Sequence, residues 1–547
     1  MISIAKQKSI RQASLAFAFA LISSSQSLPN PLENDMDDHT PLIGTVSTVN
    51  GPISGVRTKS ENIHSFRGIP YAKPPVGELR WRPPQKPNNW VEVLPANQFG
   101  MPCWQPHSEN AFVWSRGVFE RSEDCLYLNV WTDSSISKAK PVMVWFHGGG
   151  HSSGWGHGEI FDGTSLAEQG VVVVTINYRL GPWGFLAHPE LIEESEQNSS
   201  GNYGLLDKIA SLEWVKENIE QFGGDPNNVT IFGQSAGSIS VCALMASPLA
   251  KGLFHKAIGQ SAACLGPFDF DPDGLERGTD LIERTGAENL DQMRNLSNDQ
   301  ILKAATNSKW NAQSKITVDG WVLEEPPIKT FMAGQQADVP LIVGSMANEG
   351  YLLFPLVEEL SLDQFDKELT KIYGEKLLSQ FKDLYHLELS RSPGLALREI
   401  YTDQFMAYSM RQWANFNTKK EQPTFLYYME HVPPAFQIYL ADSPELNLPQ
   451  GPRSAGAYHS GDLAFVFNNV GKIGLDWEER DYELAKSVSK YWTNFAKFGD
   501  PNGIDTVNWP NFTDSDKNTQ VFDWPIRTVK GIKKEKLDLI GKKNEDS

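Results

Sequence analysis

Basic charge is in short supply in this chain. Forty-nine Lys and Arg stand against 67 Asp and Glu, giving a net charge of −18 at pH 7. Nucleic acid and anionic membrane surfaces both call for a basic patch, so neither is expected as a partner. Beyond an N-terminal leader, no run of residues is apolar and long enough to span a bilayer. The C-terminal KKEKLDLIGKKNEDS is polar and carries no lipid-anchor tail. Internal repeats and low-complexity linkers are missing as well, so residues 28–547 read as one large domain with insertions. Cysteine is sparse, with four in 547 residues.

The leader itself is distinctive. Lys6, Lys8 and Arg11 precede the apolar run Ala13 to Ile22, and small residues at Ser25-Gln26-Ser27 suit cleavage. This is a signal-peptide pattern over residues 1–27, too short for a membrane anchor. The mature chain is therefore expected to be secreted or periplasmic, where cysteines can pair. Cys103 and Cys125 bracket a loop in which a bridge would contribute about 3 kcal/mol by loop entropy. Cys242 and Cys264 are either a pair or two buried thiols; the residues alone leave both open. Sequons stand at Asn198, Asn228, Asn295 and Asn511, with Asn228 bordering a buried strand.

The composition, 40% hydrophobic and 21% charged, is that of an ordinary globular protein. Organisation appears in the order of the elements. Val142 to His147 and Val171 to Asn177 are continuous apolar runs, as strands buried on both faces should be. Leu205 to Phe222 has helical spacing and ends at Gly223-Gly224-Asp225-Pro226, read as a helix stop and turn. Further strands are expected at FHKAIGQ, PLIVGS (340–345) and TFLYYME (424–430). Asp271 to Lys329 and Leu360 to Asn417 read as helical insertions, and Tyr482 to Phe498 as a late helix. Strands alternating with helices predict an α/β fold, a large mostly parallel sheet with helices on both faces.

One stretch organises the rest. Asn228 to Ser240 reads NVTIFGQSAGSIS: a β-branched run, a Gly233-x-Ser235-x-Gly237 turn, then a helix pattern from Ser238 to Ser247. The turn motif alone is weak, since a chain of this size meets it by chance roughly 0.2 times. Indeed Gly150 to Gly154 repeats it around Ser152, and Gly259 to Ala263 nearly repeats it around Ser261. Only Ser235 sits between a strand and a helix, the context of a nucleophile elbow. A serine nucleophile needs a base, and the base an orienting acid. The acid is expected after a late strand, where Glu349 follows PLIVGSMAN. After it come three histidines: His386 in a helix-like run, His431 before Val-Pro-Pro, and His459 in a glycine-flanked loop. His459 is the expected base. Oxyanion donors are expected from Ala236 and from the Gly148-Gly149-Gly150 loop after VMVWFH. His147, His151 and His157 lie on that glycine loop rather than on one helix face, so no metal site and no cofactor is expected.

These residues resemble the type-B carboxylesterase/lipase family, the cholinesterase-like branch of the α/β-hydrolases. The resemblance runs from about Gly44 to Thr513 and rests on FRGIPYAKPPVGELRW, SEDCLYLNVW, VMVWFHGGG, VVVTINYRLGPWGFL, GNYGLLD, FGGDPNNVTIFGQSAG, VGSMANEG, the His459 block and YWTNFAKFGDPN. It implies an α/β-hydrolase fold and a Ser235–Glu349–His459 triad that hydrolyses small-molecule esters. It also implies an oxyanion hole of Gly149, Gly150 and Ala236, a Cys103–Cys125 disulfide, and ion pairs Arg80–Glu123 and Arg179–Asp207. Ser261 and Asp462 match positions that support the histidine from behind, and Gln234 flanks the nucleophile.

The chain departs from the family in places. His151 stands where an aromatic is usual, which bears on the shape of the acyl or alcohol pocket. Gln234 stands where glutamate is common, and Trp114 is offset from the tryptophan of cholinesterases, so choline esters are not expected. The GQSAG elbow is shared with insect juvenile-hormone esterases, but Arg80-Trp81 and Asp207-Lys208 differ from their usual pattern. The stretch from Cys242 to Ser261 is closer to bacterial secreted carboxylesterases. A lipase acting on longer-chain lipid esters is the alternative, and the oligomeric state is open.

Overall fold

The computed structural model describes residues 42–107, 119–133, 139–266, 270–271, 274–306, 310, 316–354, 356–439, 450–472 and 476–542. The leader at 1–27, Phe112 and Trp114 lie outside the described residues.

A 13-stranded sheet runs through the molecule. Its strands are β1 (Leu42–Ser47), β2 (Pro52–Arg57), β3 (Ile63–Pro70), β4 (Leu94–Pro95), β5 (Tyr127–Asp133), β6 (Lys140–Phe146), β7 (Val172–Ile176), β8 (Gly224–Gln234), β9 (Lys256–Gln260), β10 (Leu341–Met346), β11 (Thr424–Met429), β12 (Asn518–Phe522) and β13 (Arg527–Lys530). The spatial order is β1-β2-β3-β5-β7-β6-β8-β9-β10-β11-β12-β13, with β4 beside β2. From β7 to β12 every pairing is parallel. Antiparallel strands close both edges. This is the doubly covered α/β sheet that the strand–helix alternation predicts.

The apolar runs are continuous because both faces of the sheet are buried. In β6, Val142, Val144 and Phe146 enter one core while Met143 and Trp145 enter the other. Helix α1 (Tyr203–Asn218) covers the first face with Leu205, Leu212 and Val215. Helix α2 (Ala236–Ala246) follows the elbow, and helix α3 (Glu479–Phe498) covers the second face with Leu484, Val488 and Trp492. The two expected insertions are largely helical among the described residues.

Two features differ from the sequence reading. Gly223 does stop the helix, in a left-handed conformation at φ 78°. Gly224, however, already belongs to β8 and pairs with Lys140, ahead of a register shift before Val229. A Cβ at Gly224 would stand 2.8 Å from both Ile219 and Val142, so the glycine marks a close approach as well as a turn. The C-terminal strands β12 and β13 were not expected; they are short, and their polar–apolar alternation is weak.

Both cysteine pairs are bonded. Cys103–Cys125 closes the loop as the family pattern implies, and Cys242–Cys264 ties α2 to the segment after β9. Both implied ion pairs form. Arg80 Nε donates to Glu123 at 2.7 Å, and Arg80 Nη1 donates to the carbonyls of Arg294 and Leu296. Arg179 Nε and Nη2 grip the two Asp207 oxygens at 2.9 and 2.7 Å, and Nη1 donates to the Arg82 carbonyl. With both partners buried, Asp207→Asn leaves the guanidinium uncompensated. It is expected to cost about 3–5 kcal/mol in urea unfolding; a variant as stable as the wild type would show the pair to be replaceable.

Candidate active site

Ser235 sits between β8 and α2 with φ 57° and ψ −123°. Such a backbone costs about 1–3 kcal/mol for a residue other than glycine. Packing holds it. A Cβ at Gly237 would lie 1.9 Å from the Phe146 carbonyl oxygen, and one at Gly233 would lie 2.5 Å from the Gly237 backbone. The turn is therefore pressed against the end of β6, the strand that carries the glycine loop. The Ser235 N–H donates to the Gln260 carbonyl at 2.8 Å. Ser235 is part-exposed, whereas Ser261, whose φ is also 57°, is fully buried.

The loop of His147 to Gly150 follows β6 directly. Gly149 has φ 105°, and a Cβ there would lie 2.1 Å from the Ser153 carbonyl oxygen, so only glycine fits. Gly149 and Gly150 are part-exposed beside the elbow. A Cβ at Gly148 would lie 2.8 Å from Gln234 Oε1 and 3.2 Å from Ser235 Cβ. Ala236 opens α2, so its N–H has no acceptor within the helix. Tyr178 supports the loop from below: its hydroxyl donates to the His147 carbonyl at 2.7 Å and its ring stacks on the His147 ring. Under Tyr178 lies Lys208, whose Nζ is 3.0 Å from the ring centroid. Burial pushes the Lys208 ammonium well below its usual range, with Asp207 opposing.

Glu349 and His459 arrive on two loops zipped by Asn348. Asn348 N–H donates to the Ala457 carbonyl, and its side-chain oxygen accepts from Ala457 N–H, each at 2.9 Å. Glu349 Oε1 accepts from Met346 N–H at 2.8 Å, and Oε2 faces His459 Nδ1 at 2.5 Å. The other imidazole nitrogen, Nε2, lies 3.1 Å from the Gln234 amide nitrogen, one residue from Ser235. With Nδ1–H donated to the carboxylate, the Nε2 lone pair accepts from the Gln234 amide, beside the elbow. The rival histidines are elsewhere: His386 is exposed, and His431 is bound to buried Asp481 at 2.6 Å.

Asp462 lies behind this group. Its Oδ2 accepts from Gln260 Nε2 at 2.9 Å and from the Tyr427 hydroxyl at 3.0 Å, so these residues hold it. Its Oδ1 and the Ser261 hydroxyl are buried without a protein partner among the described residues. Burial first, and the Glu349 charge in addition, push the Asp462 carboxyl up to about 6, against the hydrogen bonds from Gln260 and Tyr427. The His151 ring turns into the protein, against Ser240 and Phe185, and is 3% exposed. It is thus part of the support, not of an open pocket wall. His157 stacks on Phe99, and burial lowers it to about 3. Among the described residues no His, Cys, Asp and Glu cluster forms a metal-binding group.

Sequence reasoning missed Gln105. This buried side chain donates to the Cys103 and Gly154 carbonyls and accepts from Gly154 N–H, so it clamps the disulfide loop to the end of the glycine loop. Gln260 and Tyr427 were missed too, although Gln260 lies inside the near-repeat of the elbow.

A mostly parallel sheet, a strained serine between strand and helix, and an imidazole that meets the residue before that serine mark an α/β-hydrolase. The profile of the carboxylesterase family matches residues 43–540. The chain belongs to that family and is a carboxylic-ester hydrolase. It is 34% identical to the para-nitrobenzyl esterase of Bacillus subtilis over 90% of this chain and 98% of that one. It is 32% identical to the fumonisin B1 esterase of Sphingopyxis macrogoltabida over 85% and 84% of the two chains. Among solved structures, a PNB esterase superimposes with a TM-score of 0.75 at 33% identity, covering 91% of this chain and 99% of that one. A Geobacillus stearothermophilus carboxylesterase gives 0.77 at 31% identity, covering 90% and 99%.

The raised Asp462 pKa carries a signed consequence. With a folded value near 6 against about 3.9 unfolded, the stability linked to this group is full at low pH and is lost as pH rises through about 6. Asp462→Asn removes that dependence. The unfolding free energy of the variant relative to wild type should therefore rise by about 2–3 kcal/mol between pH 4 and pH 8. A pH-independent difference would show that Asp462 does not titrate in this range.

Proposed function

We propose that the enzyme is an exported serine carboxylesterase that works through Ser235, His459 and Glu349 by way of an acyl-enzyme. Residues 1–27 act as a cleaved leader, and the rest of the chain forms the catalytic domain. His459 Nε2 takes the proton of Ser235 as the hydroxyl attacks the ester carbonyl. Glu349 holds the ring in the tautomer that carries no proton on Nε2, so that Nε2 exchanges the Gln234 amide for the serine proton, and it stabilises the imidazolium that forms. The oxyanion is received by the N–H groups of Gly149, Gly150 and Ala236. His459 then protonates the departing alcohol, and water activated by the same imidazole releases the acid. The observation that carries this reading is the chain of contacts from Glu349 through His459 to Gln234, which ends beside the nucleophile.

Para-nitrobenzyl and fumonisin esters appear in the names of relatives. The first of these, together with the neutral Gln234, favours uncharged small esters over choline esters. Export is supported by the two disulfides.

Ser235→Ala is expected to abolish p-nitrophenyl butyrate turnover and labelling by a fluorophosphonate while the protein stays folded; residual activity within tenfold of wild type would place the nucleophile elsewhere. Across p-nitrophenyl esters of rising length, short acyl chains should be preferred. Faster turnover of a triolein emulsion would favour the lipase instead.

A further inference from the structure

The proposed oxyanion hole is assembled from two pieces. Gly149 and Gly150 lie on the loop after β6, and Ala236 lies on the first turn of α2. Donors act only when they are placed in advance within hydrogen-bond reach of the developing charge. Something must hold the two pieces in register, and His151 is placed to do it.

His151 immediately follows Gly150 and has φ 56°. From this left-handed backbone its ring is buried against Phe185, with centroids 5.0 Å apart. Its Nε2 meets Ser240 Oγ at 2.9 Å, and Ser240 Oγ donates to the Ala236 carbonyl at 2.9 Å. With the hydroxyl proton on that carbonyl, the ring nitrogen donates to Ser240. The chain of contacts runs from the residue after the glycine loop to the residue after the nucleophile. The His151 carbonyl accepts from Gly181 N–H at 2.7 Å, which anchors the backbone at the same point.

We infer that His151 is a positioning residue that locks the glycine loop to the nucleophile helix through Ser240, so that both halves of the oxyanion hole move as one body. This rests on the Ser235 reading above. A phenylalanine or leucine at position 151 fills similar space but cannot bond to Ser240, whereas glutamine can.

The test compares His151→Leu, His151→Gln and Ser240→Ala on p-nitrophenyl butyrate, with thermal melts as a fold check. Slight misplacement of catalytic groups costs up to about 100-fold. His151→Leu and Ser240→Ala should therefore lower kcat by about 10- to 100-fold with KM within about twofold. Affinity for an alkyl boronic acid, which mimics the tetrahedral adduct, should fall in parallel. His151→Gln should restore much of kcat. If His151→Leu does not fold, Ser240→Ala, which removes a single oxygen, decides the matter. Unchanged kcat in Ser240→Ala, or a loss seen only in KM, overturns the inference. The Ser235→Ala control separates the two readings: if that variant remains active the triad assignment fails, and if it is dead while Ser240→Ala is fully active only the role of His151 fails.

Discussion

No side chain fits between the nucleophile turn and the strand beside it. With 1.9 Å between a notional Cβ at Gly237 and the Phe146 carbonyl oxygen, the first turn of α2 lies directly on the end of β6. That contact brings the loop after β6 and the serine after β8 to the same place. It also fixes the strained conformation of Ser235, because relaxing the turn would drive α2 into the sheet. The energy for this comes from the two cores on either side of β6, where every residue from Val142 to Phe146 is buried. A catalytic geometry of this kind belongs to the whole sheet rather than to the turn.

The polar groups near the site follow a similar logic. Buried charges are expensive unless paired and hydrogen-bonded. Arg80 and Arg179 meet this condition with carboxylates and backbone carbonyls, and both fasten segments far apart in the chain. Asp462 meets it only in part: one oxygen has two donors and the other has none among the described residues, so burial dominates and the proton is held more tightly. Lys208 is the mirror case, a cation disfavoured by burial and placed against the face of Tyr178.

The legible part of this molecule was whatever lies within one element or one turn. The strands β6, β7, β8 and β10 are marked by apolar runs, and Ser235 by the strand and helix around it. Glu349 and His459 are suggested by chain order alone, a weaker signal, and the structure places the two side chains together through the Asn348 zipper. The Cys242–Cys264 pairing was not legible, because both residues suit a buried thiol equally well. Gln105, Gln260 and Tyr427 were silent because their meaning lies in contacts between distant segments, which leave no period or motif. The strands β12 and β13 were silent because Asn518 to Lys530 is short and polar, and its neighbour β11 supplies the context that makes Asn518–Phe522 a strand. The motifs that carry the family resemblance end by about Thr513, short of the strands that complete the sheet.

The order of the strands has a consequence for the making of the protein. Ser235 leaves the ribosome early, whereas His459 follows β11, and β11 gains its second neighbour only when Asn518–Phe522 has been synthesised. A chain that ends before Asn518 therefore holds Ser235 and His459 around a sheet whose strand β11 still has an open edge.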